Sequence, residues 1–272
     1  MNPWPERLVL LGHPLSHSLS PLFQNAALRA AGIQARYEAL DVPRSSLDAT
    51  LEKLRRQRAA GNVTIPYKEE MRAACDRLTE TAKAVGAVNT FWTAVDGALV
   101  GDNTDVGGFQ AAIHQLMDAP RPGEIVALLG AGGGAAAVLG AVEGWPGARV
   151  QVYSRTRTRA EQLVQRFKIP ANVAATPLDA VAGASVVVNA TPVGLRDDSV
   201  PVSVDALPGK SVVFDLAYRA GGTALVRQAK ARGLRAMDGL TMLVEQGALS
   251  FQRWFGTVPD RQAMWDAIKS KT

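Results

Sequence analysis

A chain of 272 residues with 47% hydrophobic and 20% charged residues can bury one large core or two smaller ones, which excludes a disordered segment. Its net charge of +5 favours anionic ligands, but the basic residues are scattered and the densest group, Arg155, Arg157 and Arg159, has one aromatic close by, Tyr153, so no nucleic-acid face is expected. One cysteine, Cys75, excludes an internal disulfide framework and fits a reducing compartment, and no apolar run approaches the roughly 20 residues needed to cross a bilayer.

The start, Met1 to Arg7, lacks a basic stretch followed by an apolar one, so no signal peptide is expected and the chain reads as cytoplasmic. Arg7 to Leu11 is a short apolar strand that stops at Gly12. Ser20 and Pro21 look like a cap and first helical residue, and Leu22, Ala26, Ala27 and Ala30 follow at helical spacing until Gly32. Ala35 to Val42 reads as a strand, Ser46 to Ala59 as a basic amphipathic helix and Gly61 to Ile65 as a second strand ended by Pro66. Ala87 to Val100 predicts a hairpin around Asp96-Gly97. Val106 to Met117 is a helical connector, and Pro120 to Gly123 is a break. Beyond it, Ile125–Leu129, Arg149–Tyr153, Ser185–Asn189 and Ser211–Asp215 are continuous apolar runs separated by helical stretches, the pattern of parallel strands covered on both faces. Leu240 to Phe255 and Arg261 to Ile268 predict the final helices.

The fold class is therefore α/β: an N-terminal α/β substrate domain followed by a Rossmann-like doubly wound nucleotide domain. The expected boundaries are residues 1–105 for the first, 106–237 for the second, and 238–272 for C-terminal helices returning to the first.

The nucleotide site is the most explicit motif. Gly130, Gly132 and Ala135 follow a strand and open a helix, giving the G-x-G-x-x-A spacing in the context where its physics works. Gly130 permits a tight turn, Gly132 lets backbone approach a pyrophosphate, and Ala135 keeps helix and sheet close; the helix start offers free N–H groups and partial positive charge. Ala131, Gly133 and Gly134 complete the turn. After the second strand, where an NAD enzyme places a carboxylate for the ribose hydroxyl, this chain has Ser154, Arg155, Thr156, Arg157, Thr158 and Arg159. Hydroxyls and planar guanidinium groups suit a 2′-phosphate, so the expected cofactor is NADP, read by Ser154, Arg155, Thr156 and Arg159; Arg157 reads equally well as a solvated surface residue.

Polar clusters also stand out at the ends of apolar segments: His17 to Pro21, Asn62 to Lys68, Ala87 to Thr90, Asn103 to Asp105, and Gln246 within a late helix. Each has an ordinary explanation alone, since Ser20 and Asp105 could cap helices and Thr64 could sit in a strand. Together they mark the strand and helix ends where sites gather.

These residues carry a resemblance. Gly12 to Pro21 (GHPLSHSLSP), Asn62 to Lys68 (NVTIPYK), Gly86 to Thr90 (GAVNT), Asn103 to Asp105 (NTD), Gly130 to Ala135 (GAGGGA), Asn189 to Gly194 (NATPVG), Asp215 to Tyr218 (DLAY) and Asp238 to Gln246 (DGLTMLVEQ) resemble the shikimate dehydrogenases, in the family's order from Gly12 to Gly256. The resemblance implies reversible NADPH-dependent reduction of 3-dehydroshikimate to shikimate, a step in aromatic amino acid biosynthesis. It implies Lys68 and Asp105 as the catalytic pair, and Ser18 and Ser20 as ligands of the substrate carboxylate. Thr64, Asn89, Asp105 and Gln246 would hold ring hydroxyls, with Tyr218 also on the substrate. Thr191, Gly239 and Met242 would lie by the cofactor.

The residue types agree with that chemistry. Ketone reduction needs a hydride on carbon and a proton on oxygen, and Lys68 can supply the proton or a charge at the developing alkoxide. Hydroxyl and amide side chains suit a polyol, since an analogue lacking a hydroxyl leaves them unpaired. The chain departs from the family's usual residues at Gln24, Ala220 and Thr241, the last beside expected nicotinamide contacts. A quinate/shikimate paralogue and a catalytically inactive NADP-sensing module are the alternatives; retention of Lys68 with Asp105 argues against the sensor. His13, His17 and His114 are too dispersed for a metal site. The expected partner is a small molecule, with neither nucleic acid nor membrane, and a homodimer is compatible with the sequence.

Overall fold

A computed structural model describes residues 4–16 and 18–271; His17, in the first polar cluster, lies outside the described residues. The chain divides into two compact units, residues 1–108 with 243–271 and residues 109–242. The changeovers fall inside continuous helices, slightly beyond the expected junctions at 105/106 and 237/238.

The first unit begins β1 (Arg7–Gly12), α1 (Ser20–Ala30), β2 (Tyr37–Asp41), α2 (Leu47–Arg56), β3 (Ala59–Val63), α3 (Lys68–Ala74), β4 (Arg77–Leu78), α4 (Glu80–Val85), β5 (Thr90–Thr93) and β6 (Leu99–Asp102). Its six strands are ordered β2-β1-β3-β5-β6-β4. β1 runs parallel to β2 and β3, whereas β5 is antiparallel to both β3 and β6. The ends of β1, β3 and β6 and the start of β5 therefore share one edge of the sheet, and every polar cluster assigned to this unit except Gln246 leaves from that edge. Beneath it, Val9, Leu11, Leu54, Tyr67, Met71 and Phe91 are buried in one apolar cluster, each full burial contributing about 1.5–3 kcal/mol.

Three local expectations are corrected here. The basic helix stops at Arg56 rather than Ala59, because Arg58 adopts a left-handed φ of 46° that breaks the helical path, and Ala59 opens β3. β3 accordingly spans Ala59–Val63 instead of Gly61–Ile65. Ser20 is not a cap. It lies within α1, whose preceding residue Leu19 makes no side-chain bond, and the Ser18 hydroxyl instead accepts from Ser20 N at 3.3 Å.

α5 (Asp105–Met117) leads into the second unit, with β7 (Ile125–Leu129), α6 (Gly133–Val142), β8 (Arg149–Tyr153), α7 (Arg157–Val164), β9 (Ala171–Val173), α8 (Pro177–Val181), β10 (Val186–Asn189), β11 (Val212–Asp215), α9 (Ala224–Ala231) and β12 (Arg235–Met237). All its strand pairs are parallel, in the order β12-β11-β10-β7-β8-β9. This is the doubly wound arrangement, and its topological switch point lies between β7 and β10, where such sheets bind ligands beyond their carboxyl ends. α10 (Leu240–Phe255) and α11 (Arg261–Asp266) follow; from Leu243 onward they belong to the first unit. Among the described residues no helix is long and apolar enough to cross a membrane.

Candidate active site

Tyr67 is buried and its hydroxyl donates to Val42 O at 2.7 Å, which anchors the turn leading out of β3. Lys68 opens α3 immediately afterwards, and its carbonyl accepts from Val88 N at 2.9 Å. Both ends of the lysine's backbone are thus held before its side chain is considered. From that position Lys68 Nζ reaches Asp105 Oδ2 at 2.6 Å, with side-chain exposures of 19% and 8%. Asp105 is steered in turn by Asn103, whose Oδ1 accepts from Asp105 N at 3.1 Å and whose Nδ2 donates to Ala87 O at 3.0 Å. An ion pair this buried keeps its strength only where further hydrogen bonds satisfy it, and Asn89 Nδ2 supplies one to Asp105 Oδ1 at 2.8 Å.

Asn89 is the hub of the site. Its Oδ1 accepts from Thr104 N at 2.7 Å, which fixes which end of the amide is which. Its Nδ2 then faces three acceptors, Asp105 Oδ1 at 2.8 Å, Thr104 Oγ1 at 3.0 Å and Gln246 Oε1 at 3.2 Å. Two amide hydrogens cannot serve three acceptors at once. Gln246 makes the longest of these contacts, and its Nε2 donates to Leu243 O at 2.8 Å.

The structure therefore brings together Lys68, Asn89, Asp105 and Gln246. Thr64 follows β3 at the same sheet edge and lies against Gly12: a Cβ on Gly12 would meet Thr64 Cγ2 at 2.5 Å. His13 N donates to Ile65 O at 3.1 Å, so the segment carrying Ser18 and Ser20 starts beside Thr64. Ser18 is half-buried and Ser20 buried, and neither is directly bonded to the Lys68–Asp105 pair.

Two supporting residues, Ser250 and Arg253, escaped the sequence reading, and Asn62, known there only as the start of a polar cluster, joins them. Ser250, fully buried, donates to Gln246 O at 2.9 Å, accepts from Asn62 Nδ2 at 2.8 Å and contacts Thr104 Oγ1 at 2.9 Å. Asn62 Oδ1 accepts from the buried Tyr37 hydroxyl at 3.0 Å. Arg253 Nε donates to the buried Asp102 at 2.8 Å. The available signal was spacing: Gln246, Ser250 and Arg253 recur on one face of α10.

In the second unit, the glycine turn has the geometry its motif requires. Gly130 sits at φ +119°, and a Cβ there would come within 2.7 Å of Ala190 O. Gly132, the residue before α6, makes no side-chain cap bond, and a Cβ there would meet nothing within 4 Å. Space is therefore open beside Gly132, at the start of the helix. Ala131, Gly133 and Gly134 complete the turn, and Ala135 is buried against the sheet. Ser154 ends the strand side of the next loop; Arg155, Thr156 and Arg159 are exposed, and neither arginine forms an ion pair among the described residues, whereas Arg157 pairs with Glu161 at 2.8 Å. Thr191 follows β10 beside the turn, Gly239 precedes α10, Met242 is buried, and Tyr218 is half-buried after β11.

Asp215, at the end of β11, is fully buried, and its carboxyl is pushed up to about 6. Burial is the main cause and the charge of Asp238 adds to it, while hydrogen bonding from Thr223, Ala217 N and Asn189 moderates the rise. The folded chain therefore holds this proton more tightly than the unfolded chain, whose carboxyl keeps the usual 3.8. The contribution of Asp215 to stability is fully present below that value and is lost as pH rises through about 6, about 3 kcal/mol over the whole window. Urea unfolding across pH 4–8 should show this decline, and Asp215→Asn should flatten it. An unchanged slope in the variant would assign the effect elsewhere.

Comparison with known proteins agrees with the family resemblance. Residues 10–91 match the family model of the shikimate dehydrogenase substrate binding domain, and residues 239–269 match that of the shikimate 5′-dehydrogenase C-terminal domain. A shikimate dehydrogenase (NADP(+)) of Thermus thermophilus is 40% identical over 264 residues, covering 97% of each chain. The crystal structure of shikimate dehydrogenase from Aquifex aeolicus aligns with a TM-score of 0.89 at 34% identity, covering 97% of each chain. The enzyme from a second strain of Thermus thermophilus, in complex with NADP(H) and shikimate, aligns with a TM-score of 0.86 at 39% identity, covering 97% of this chain and 98% of that one. With this identity maintained over nearly its whole length, the chain belongs to the shikimate dehydrogenase family.

Proposed function

We infer that the protein catalyses the reversible, NADPH-dependent reduction of 3-dehydroshikimate to shikimate. The observation that carries this reading is the 2.6 Å contact of Lys68 Nζ with Asp105 Oδ2, braced by Asn89, in a chain 40% identical to NADP-dependent members of the family. An ammonium has three N–H donors. One is spent on Asp105, and the others can meet the substrate oxygen, steady the charge that grows on it and deliver its proton. Asp105 keeps Lys68 aimed. Asn89, Gln246 and Thr64 are assigned to ring hydroxyls, Ser18 and Ser20 to the carboxylate, and Tyr218 keeps the substrate role implied by the family resemblance. NADPH, when bound, supplies the hydride. The turn from Gly130 to Ala135 would hold its pyrophosphate, Ser154, Arg155, Thr156 and Arg159 its 2′-phosphate, and Thr191, Gly239 and Met242 its nicotinamide end.

Initial rates with shikimate and with quinate, each with NADP and NAD, test the reading. Shikimate with NADP should give the highest kcat/KM; a preference for quinate with NAD would overturn it. Arg155→Ala isolates the phosphate assignment. Losing a charge-assisted contact should raise KM for NADP by roughly 10-fold or more and leave NAD nearly unchanged. Equal losses for both would remove Arg155 from 2′-phosphate recognition. We extend the reading to a cytoplasmic enzyme, supported by the single, unpaired Cys75; light scattering distinguishes a monomer from a homodimer.

A further inference from the structure

Asp215 takes no part in the chemistry above, yet its carboxylate links several segments of the nucleotide unit. Asp215 Oδ1 accepts from Asn189 Nδ2 at 2.9 Å and from Ala217 N at 3.0 Å. Asn189, at the end of the adjacent β10, passes the constraint on. Its Oδ1 accepts from Thr191 N at 3.0 Å and from the Thr191 hydroxyl at 2.7 Å, and its Nδ2 also donates to Val193 O at 3.1 Å. The segment so fixed lies against the glycine turn, since a Cβ on Gly130 would meet Ala190 O at 2.7 Å and Thr191 Cγ2 at 3.3 Å. On the other side, Gly239 N donates to Ala217 O at 3.0 Å, and a Cβ on Gly239 would lie 2.1 Å from Leu216 O.

We infer that Asp215 is a positioning residue for the cofactor, holding the Thr191 loop and the Ala217–Gly239 contact in register with the glycine turn. This rests on the reading that Gly130, Thr191 and Gly239 border NADP. The carboxylate is costly where it stands. It is fully buried, and its second oxygen, Oδ2, closes no hydrogen bond of normal geometry. A group that served packing alone would be better replaced by an apolar side chain. What Asp215 supplies instead is one oxygen that accepts from the ends of two neighbouring segments, at the switch point where the ligand binds. An asparagine can present the same oxygen. An alanine cannot.

The test compares Asp215→Ala, Asp215→Asn and Gly132→Val in the full-length enzyme, measuring NADPH affinity by fluorescence and the KM values for NADP and shikimate. Asp215→Ala should weaken NADPH binding about 10-fold or more, the cost of losing hydrogen bonds to a charged acceptor. KM for shikimate should stay within about 2-fold, and Asp215→Asn should restore NADPH binding to within about 3-fold of the parent at pH 7.5. Unaltered NADPH affinity in Asp215→Ala, or equal weakening in the Ala and Asn variants, would overturn the inference. Gly132→Val tests the underlying site reading separately: if it leaves NADPH binding intact, the glycine turn is not the cofactor site, whatever Asp215 does. Should Asp215→Ala not fold, Asn189→Ser removes the Nδ2 bond yet keeps a hydroxyl for Thr191. It should show the same selective loss, and unaltered NADPH affinity there would overturn the inference equally.

Discussion

Lys68→Ala should lower kcat by about 10²–10⁴-fold while KM for shikimate changes far less, the signature of an interaction made chiefly in the transition state. The expectation follows from how the lysine is held. Its backbone is fixed by Val88 N and by the anchored Tyr67, and its ammonium is directed by a carboxylate that is itself tied to Asn89. The proposed ring contacts of Ser18, Ser20, Thr64 and Gln246 need little of that arrangement, so substrate affinity should largely survive. The variant leaves Asp105 buried at 6% exposure without its cation, which should cost about 3–5 kcal/mol of stability. Rates therefore need to be taken well below the melting temperature, alongside a denaturation curve. If kcat is unchanged in folded protein, Lys68 has no part in the reaction.

Gly239→Ala should be the most damaging single methyl in the nucleotide unit. An alanine Cβ would stand 2.1 Å from Leu216 O and 2.8 Å from Leu216 C. Both are backbone atoms, so no side-chain rotation relieves the clash. Leu216 cannot simply withdraw, because its N donates to Asn189 O at 2.9 Å and the neighbouring Ala217 N is held by Asp215. Overpacking of this kind costs about 1–3 kcal/mol and more where backbone must move. The variant should melt several degrees lower and lose NADPH affinity; melting at the parent temperature with normal affinity would mean that the two segments can part freely. Thr241, where the family commonly has glycine, lies two residues on and is almost buried at 9% exposure, so the chain tolerates a side chain there but not at Gly239.

The parts of this protein that could be read from sequence are those whose physics is local. Ile125–Leu129 is a strand at the expected residues because a continuous apolar run bounded by turn residues has few other solutions in an α/β chain, and Arg149–Tyr153 because Val150 and Val152 alternate with polar neighbours at the period of a strand. The glycine turn could be read because a strand and a helix flank it. β3 was displaced because Ala59-Ala60-Gly61 carries almost no side chain from which a period could be read, and the helix stop at Arg58 is a backbone event at a residue without turn chemistry. The strands Arg77–Leu78, Ala171–Val173 and Arg235–Met237 are too short to show alternation at all. At the active site, Lys68, Asn89 and Asp105 were visible as polar residues at segment ends. Ser250 was not, because its partners Asn62 and Thr104 lie 188 and 146 residues away, and only a folded chain shows that such residues meet.

The division of the first unit into two stretches of chain has a consequence for how the protein is made. As residues 1–108 leave the ribosome, Asn62, Thr104 and Asp102 have neither Ser250 nor Arg253 to bond, since both belong to α10 and have yet to be synthesised. The parallel sheet of residues 109–242 emerges in one uninterrupted piece and can close first. The segment translated earliest therefore completes these bonds only after residues 109–242 have emerged, and a nascent chain halted before Leu243 holds Asp102 without Arg253.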